Sequence, residues 1–333
     1  MSPDATSAAR VLAEIAYRQR LLEDAYRARA FIRAALAIGR DGPDIDRLHR
    51  ERRLETLESV GPGIARVLAD LLENGSSSYL ARLREETGEQ DGIGRALSLD
   101  GYQGDLHTHT TWSDGRAGLL DMARVARARG YRYLAITDHS PRMPVVHGLG
   151  PERLAAQRLE IEEVAGEVGL PILHGIEVDI NEDGSLDLPD EALAALDVVI
   201  ASPHVKLRMD PAAMTERMLR AVEHPRVSVI GHPTGRRPGS RAGAVYDVEL
   251  VFRRAAERGV AIEIDCDPAR MDLSPELARV AASAGCRFAL DADAHAPDEF
   301  LYVELGLWCP ELAGLGPDRF LNWLPIDQLK EVL

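Results

Sequence analysis

Short apolar stretches alternate with amphipathic helical stretches from Gly104 to the end of the chain. The apolar stretches that read as strands are 104–109, 132–138, 171–180, 197–203, 227–232, 260–265 and 287–292. Such alternation is typical of parallel β/α units, in which a helix returns the chain across the sheet after each strand. The pattern therefore predicts an α/β fold, a seven-stranded (β/α)7 barrel whose functional residues lie at the carboxyl ends of the strands.

The first of these strands carries two histidines in the sequence Asp105-Leu106-His107-Thr108-His109. Because side chains alternate along a strand, a spacing of two directs both imidazoles to the same face. The turn at 113–115 follows and can bring the carboxylate of Asp114 back over the same strand end. Two imidazoles and one carboxylate at a strand end predict part of a metal site.

Most of the other predicted strands end in the same residue types. The candidate donors there are His139, Glu177, His204, His232, Asp293 and His295. Histidine and carboxylate without thiolate favour Zn, Mn or Fe in a multinuclear arrangement, since Mg prefers oxygen ligands. The three cysteines have no paired spacing, which argues against a thiolate site and against a disulfide framework.

A multinuclear site of this kind favours hydrolysis of a phosphoester. Metal ions about 3.5–4 Å apart acidify a shared water and bind both the attacking and the leaving oxygen of an in-line displacement. Amide hydrolysis is the competing chemistry, but the carboxylated lysine bridge that it would use looks unavailable, since the chain contains only Lys206 and Lys330.

The first 95 residues form a separate helical region, with apolar residues at helical spacing and many intervening arginines. Polar residues with several glycines follow and carry little apolar pattern. We therefore predict a helical domain over 1–95, a linker over 96–102 and the barrel over 103–333.

Within the helical domain, Gly61-Pro62-Gly63 separates two predicted helices and resembles a helix-hairpin-helix motif. In that motif, backbone N–H groups at a helix start bind a DNA phosphate, so Gly61 and Gly63 are candidate DNA-binding residues. An ordinary glycine-capped turn between two helices is the structural alternative. The whole domain resembles the amino-terminal helical domain of bacterial X-family DNA polymerases. It contains no lysine, so the lyase chemistry of that family is not implied, and the linker is too short to hold a polymerase core.

Residues 103–326 resemble the polymerase and histidinol phosphatase (PHP) domain, in the version carried by bacterial X-family polymerases. The resemblance rests on DLHTH at 105–109, AITDHS at 135–140, GIEVDI at 175–180, IGHPTGR at 230–236, IEID at 262–265, RMDL at 270–273 and DAH at 293–295. It implies a distorted seven-stranded barrel that holds three divalent metal ions (Mn, Zn or Fe).

The resemblance also implies nine metal ligands, all present in this chain. They are His107, His109, Asp114, His139, Glu177, His204, His232, Asp293 and His295. Glu177 is expected to bridge two ions, and metal-bound hydroxide is expected to attack phosphorus. Among the ligands, Glu177, His204, Asp293 and His295 are the expected catalytic residues.

Three basic residues near strand ends are candidates for holding a substrate phosphate. They are Lys206, Arg236 and Arg270. Salt bridges to the acidic rim of the barrel are the structural alternative for each.

These features predict a metal-dependent phosphoesterase acting on DNA ends or abasic DNA, as a 3'-5' exonuclease, 3'-phosphatase or abasic-site endonuclease of DNA repair. A small-molecule phosphatase of the histidinol phosphatase type is the first alternative. The charge of the chain favours it, since residues 101–333 carry a net charge of -13, which would repel long DNA, whereas the first 100 carry only -2. The second alternative is a non-catalytic DNA-binding protein with structural metals.

The sequence has no apolar run of membrane-spanning length and no signal-peptide pattern at its start. We therefore expect a cytoplasmic protein without a membrane partner. The sequence leaves the oligomeric state open.

Overall fold

A computed structural model describes residues 4–88 and 97–333. Residues 1–3 and 89–95 of the predicted helical domain and the first residue of the predicted linker lie outside these ranges. The helical region contains α1 (Ala5–Leu21), α2 (Ala25–Asp41), α3 (Ile45–Arg50), a 3-10 helix (Leu54–Thr56), α4 (Pro62–Asn74) and α5 (Ser78–Thr87). Aspartates cap the first three helices: the side chain of Asp4 accepts from Ser7, and Asp24 and Asp44 do the same for α2 and α3.

The barrel region follows in chain order. Its helices are α6 (Leu119–Ala128), α7 (Pro151–Val168), α8 (Asp190–Leu193), α9 (Pro211–Glu223), α10 (Val248–Arg258), α11 (Pro275–Ser283), α12 (Leu301–Gly306), α13 (Trp308–Leu312) and α14 (Ile326–Lys330). Its 3-10 helices are Pro144–Val146, Pro297–Phe300, Pro317–Arg319 and Leu321–Trp323. None of the helices within the described ranges is both long and apolar enough to cross a membrane.

In the described residues, six parallel strands pair in chain order to form one sheet. They are β1 (Leu134–Ile136), β2 (Ile172–Asp179), β3 (Val198–Ser202), β4 (Val229–Ile230), β5 (Ala261–Asp265) and β6 (Phe288–Asp291). One apolar core lies between the sheet and its helices, and a second, smaller core includes Leu173, Ile200, Ala261 and Ala289. The alternation along β2 and β5 places Glu177 and Glu263 on the same strand faces as these smaller-core residues.

The stretch 104–109, predicted as the first strand, is not a strand in the structure. Side chains accept hydrogen bonds from backbone N–H groups that would otherwise pair with a neighbouring strand. For example, Asp291 accepts the N–H of Leu106 at 2.8 Å. The stretch still lies beside β6, because it forms an isolated parallel bridge between Thr108 and Ala294. The parallel half-barrel therefore has six strands within the described ranges instead of the predicted seven.

The connection between α3 and α4 is longer than the predicted tight Gly-Pro-Gly turn. α3 ends because Arg52 adopts a left-handed conformation and the N–H of Arg53 bonds the carbonyl of Leu48 at 2.7 Å. The 3-10 helix follows before α4 begins at Pro62, a residue suited to the first helical position.

The helical region packs directly on the barrel. Leu301 and Leu305 of α12 belong to the apolar core of the helical region, and the ring of Tyr17 in α1 contacts that of Trp308 at a centroid distance of 4.8 Å. Leu97, in the described part of the predicted linker, is buried and its N–H bonds Glu311. The helical region and the linker therefore both contact the barrel.

Candidate metal centre

The nine candidate ligands converge at one end of the barrel. His139 follows β1, Glu177 lies in β2, His204 follows β3 and His232 follows β4. The remaining candidates lie in the irregular stretch and turn at 107–114 and in the loop after β6. Every one of them is buried except Asp114, His204 and His295, which are partly exposed.

Glu177 lies at the centre of the group, with both carboxylate oxygens facing imidazole nitrogens. The distances are 2.6 Å to His232 Nε2, 2.9 Å to His139 Nδ1, 3.0 Å to His204 Nε2, 3.4 Å to His107 Nε2 and 3.5 Å to His109 Nε2. The carboxylate is thus positioned so that its two oxygens can serve different cations.

Three overlapping sets of donor atoms each lie within 4.8 Å of one another. The sets are His109, Asp114, His139 and His295; His107, His109 and Asp293; and His139, Glu177 and His204. Their chemistry fits divalent cations, because each set combines imidazole nitrogen with carboxylate oxygen. Eight of the nine candidates belong to a set, and the ninth, His232, contacts Glu177.

Many of these buried donor atoms form no hydrogen bond of good geometry within the described ranges, although several lie within 3.5 Å of a carboxylate oxygen. They include His107 Nε2, both ring nitrogens of His109, His139 Nδ1, His204 Nε2, His232 Nδ1 and Asp293 Oδ1. Leaving one buried polar atom unsatisfied costs about 1–3 kcal/mol, so such a concentration in a protein core needs an explanation. Bound cations would satisfy these lone pairs, and the residues therefore fit a metal centre.

The electrostatics of the site match this interpretation. Burial favours the neutral acid for Glu177, but His204 and His139 outweigh it and hold the pKa of this carboxyl well below its usual range. Burial likewise opposes protonation of His139, but Glu177 and Asp114 raise its pKa to about 10. The buried carboxylates are thus ionised because positive charge lies beside them. Metal ions would supply this charge in place of the imidazole protons.

Neighbouring oxygens orient three of the imidazoles through Nδ1. His107 Nδ1 lies 2.6 Å from Glu263 Oε1, His204 Nδ1 lies 3.1 Å from Asp179 Oδ1 and His295 Nδ1 lies 2.7 Å from the carbonyl oxygen of Asp293. When Nδ1 donates in each pair, the Nε2 lone pair faces the site. Glu263 and Asp179 were not among the sequence candidates, although the alternation of β5 and β2 could have indicated them.

Asp138 holds the turn that carries Asp114. Its carboxylate accepts hydrogen bonds from the backbone N–H and hydroxyl groups of Thr110 and Ser113 and from the side-chain amide of Gln157, at 2.5–3.1 Å. These five bonds fix the turn from below, so Asp114 reaches His139 and His295 without being buried itself.

The three candidate phosphate-binding residues lie in different surroundings. Arg270 is 9% exposed and its Nε lies 3.3 Å from Asp293 Oδ2, beside the donor sets. Lys206 is exposed, two residues after His204. Arg236 donates to the carbonyl oxygen of Met271 and lies over the ring of Tyr17, so its contacts join the barrel to α1.

Gly61 and Gly63 lie at the start of α4, far along the chain from the donor sets, and both are exposed. An open cavity of about 750 Å³ adjoins them. Its lining includes three basic residues, Arg27, Arg66 and Arg82, one acidic residue, Asp70, and the aromatic Tyr79. A basic, aromatic-lined cavity beside a helix start suits an anionic ligand.

Comparison with known proteins identifies the barrel. Residues 105–264 match the sequence profile of the PHP domain. The chain is 40% identical over 200 residues, 60% of its length, to the DNA polymerase/3'-5' exonuclease PolX of Bacillus subtilis, but it spans only 35% of that relative. It is 33% identical over 247 residues, 69% of its length, to a protein named "Probable phosphatase" from Thermoanaerobacter sp. (strain X514), and it covers 93% of that relative.

Among solved structures, histidinol phosphate phosphatase from Lactococcus lactis, complexed with zinc, L-histidinol and phosphate, is 16% identical with a TM-score of 0.47, covering 65% of this chain and 95% of that one. The profile match and the near full-length coverage of the Thermoanaerobacter relative agree with the histidine and carboxylate donors described above. The chain belongs to the PHP family of metal-dependent phosphoesterases.

Proposed function

We propose that this protein hydrolyses phosphoesters in DNA, as a 3'-5' exonuclease, 3'-phosphatase or abasic-site endonuclease. The observation that carries the proposal is the packing of a helical region with a basic, glycine-edged cavity against a barrel that presents the donor sets. The name of the Bacillus subtilis relative, a polymerase with 3'-5' exonuclease activity, supports the same substrate class. The start of α4 at Gly61 and Gly63 would bind a backbone phosphate in the manner of a helix-hairpin-helix motif.

We propose that three divalent cations, Mn, Zn or Fe, occupy the three donor sets. Glu177 would contribute to two of them, one with His107, His109 and Asp293 and one with His204, while Asp114, His139 and His295 would hold the third. His232 would complete the coordination beside Glu177. Cations held in this way acidify water and neutralise charge on the phosphoryl oxygens.

The protein's own groups would orient the reaction. The Nδ1 bonds of His107, His204 and His295 keep each Nε2 directed into the site and hold the imidazoles in one tautomer. His295 and Asp114 are the more exposed donors, so substrate would approach from their side. Lys206 at the rim and Arg270 beside Asp293 would offset the charge of the phosphate, and Glu177, His204, Asp293 and His295 would carry the catalytic centre.

A small-molecule phosphatase is the second candidate. Two observations favour it: the Thermoanaerobacter relative, named a phosphatase, is covered over 93% of its length, and residues 101–333 carry a net charge of -13. Under this alternative the helical region would serve as a lid or a dimerisation element, and the protein would not retain DNA at low salt.

One experiment separates the two candidates. The purified protein, supplied with Mn²⁺, is tested in parallel on 3'-recessed DNA, abasic DNA and histidinol phosphate, with His204→Ala as the control. We expect hydrolysis of a DNA substrate that the variant has lost. Turnover of histidinol phosphate alone would reject the DNA proposal, and equal activity of His204→Ala would reject the site.

A further inference from the structure

A second cavity lies where the helical region meets the barrel. The loop 236–243 packs on the end of α1, so closely that a Cβ added to Gly239 would lie 2.8 Å from the carbonyl oxygen of Arg20. Between the two is a cavity of about 390 Å³, lined by Leu21 and Glu23 on one side and by the loop, including Arg241, on the other. This cavity opens at the seam between the two regions.

Four arginines gather at this seam, and we call them the arginine cleft: Arg20, Arg29, Arg237 and Arg241. None of them lies within 4.0 Å of a carboxylate oxygen in the described parts of the chain. They are nevertheless close to one another. The backbone groups of Arg237 and Arg241 bond each other at 2.8–2.9 Å, in the loop that touches the backbone of Arg20. Arg29, on α2, is near enough to Arg20 to lower its pKa, although burial is the main cause of that shift.

The acidic residues near the cleft leave it a positive surface. Asp267 acts on both Arg20 and Arg237, Asp272 acts on Arg241, and Glu23 lines the cavity, but none of these three carboxylates forms a close ion pair with a cleft arginine. Like charges contributed by two separate regions repel one another, and three carboxylates offset only part of the charge of four arginines. In a chain with a net charge of -15, such a gathering stands out.

The cleft leads toward the metal centre. Arg241 Nε donates to the carbonyl oxygen of Gly235 at 2.8 Å, and the N–H of Gly235 donates to the carbonyl oxygen of His232, a candidate ligand, at 2.8 Å. In the other direction, Tyr26 is 77% exposed on the first turn of α2, three residues before Arg29 and on the same helix face. Guanidinium groups beside an exposed aromatic ring are the usual elements of a single-strand binding surface.

We propose that the arginine cleft binds the backbone phosphates of a DNA strand whose reacting phosphate lies at the metal centre. This inference rests on the proposed function and specifies the path of the substrate. Guanidinium groups suit the role because their planar N–H pairs match two phosphate oxygens at once. Tyr26 would stack on a base of the same strand.

The test uses two exposed arginines, one from each region, in the double variant Arg29→Gln/Arg237→Gln. The matched control is Arg132→Gln/Arg226→Gln, which removes two exposed arginines near the amino ends of β1 and β4, at the opposite end of the strands from the metal centre. Binding of a fluorescent single-stranded oligonucleotide is measured by anisotropy in EDTA over a range of salt concentrations. Folding of each variant is checked by its thermal unfolding midpoint.

We expect the cleft variant to bind DNA more weakly and with a smaller salt dependence. Loss of two phosphate contacts lowers the magnitude of the slope of log K against log salt by about 1.4 for a single strand. Between 1 M and 0.1 M salt, the affinity of the cleft variant should therefore rise about 25-fold less than that of the wild type. With Mn²⁺ present, KM for the oligonucleotide should rise with kcat unchanged, while turnover of a p-nitrophenyl phosphodiester should stay that of the wild type.

The possible outcomes distinguish failure of the arginine cleft from failure of the proposed function. Binding by the cleft variant equal to that of the Arg132→Gln/Arg226→Gln control, or no DNA binding by the wild type, would overturn the cleft. Weakened binding without DNA hydrolysis by the wild type would support the cleft and reject the proposed hydrolysis of DNA. A rise of KM for the small diester as well would also overturn the cleft, because it would place the effect at the metal centre.

Discussion

Replacing Glu263 by glutamine should weaken metal binding although this residue belongs to none of the donor sets. Its Oε1 lies 2.6 Å from His107 Nδ1 and its Oε2 accepts the backbone N–H of His232 at 2.5 Å, and all three residues are buried. Both carboxylate oxygens therefore act as acceptors. Glutamine has the same size but only one oxygen.

The substitution Glu263→Gln forces one of two costs. If the amide oxygen keeps the bond to His107, the NH₂ group faces the N–H of His232, and two buried donors oppose each other at a cost of about 1–3 kcal/mol. If the amide is reversed, His107 must carry its proton on Nε2, the nitrogen that faces Glu177 at 3.4 Å and Asp293 at 3.7 Å. Loss of such orienting partners lowers metal affinity or activity by about 10–100-fold.

Titration of the metal-free protein with Mn²⁺ in a calorimeter measures this effect directly. The matched control is Glu162→Gln, which removes the charge of an exposed glutamate on α7. We expect weaker Mn²⁺ binding by Glu263→Gln within that 10–100-fold range, and wild-type binding by the control. Affinity of the Glu263→Gln protein within twofold of the wild type would refute the orienting role.

Three further predictions concern the turn, the core and the backbone. Asp138→Asn places an NH₂ group among five hydrogen-bond donors and should loosen the turn that carries Asp114, so we expect about 10–100-fold lower Mn²⁺ affinity. Unchanged affinity would contradict the positioning of Asp114 by Asp138. Burial lowers the pKa of His174 to about 4 from 6.5, so the unfolded chain takes up more protons and stability falls as the pH drops from 6.5 to 4. His174→Gln should reduce this loss by about 2 kcal/mol between pH 7 and pH 4.5, measured by urea unfolding at the two pH values; parallel pH curves would contradict it. Gly104→Ala places a Cβ 2.1 Å from a backbone oxygen and should lower the thermal unfolding midpoint. Its control, Gly166→Ala, adds a Cβ in open space on α7 and should raise stability by about 0.5–1 kcal/mol. Equal unfolding midpoints for the two variants would contradict the clash at Gly104.

The alternation of strands and helices was sufficient to place the donor residues at one end of the barrel. Six of the predicted strands appear in the described residues, and His139, His204 and His232 lie two or three residues after the ends of three of them. Periodicity could not predict the loss of the strand at 104–109, because that depends on which side chains accept its backbone N–H groups. Asp291, which accepts one of them, is 185 residues away from Leu106 in the chain.

The residues around the donors were harder to predict than the donors themselves. Glu263 and Asp179 lie within buried strands, where a carboxylate is recognised as functional only once its partner histidine is known. Arg236 was a candidate phosphate-binding residue because it follows a strand end. The structure shows it against Tyr17 of α1, a contact across 219 residues that only the docking of the helical region creates.

Anomalous X-ray diffraction from crystals grown with Mn²⁺ would test the central claim most directly. The claim is that the buried histidines and carboxylates gather to hold divalent cations for phosphoester hydrolysis. We predict three anomalous peaks, one at each donor set, with Glu177 in contact with two of them. Diffraction that shows Mn²⁺ only at surface carboxylates, and none among His107, His204 and His295, would contradict the account.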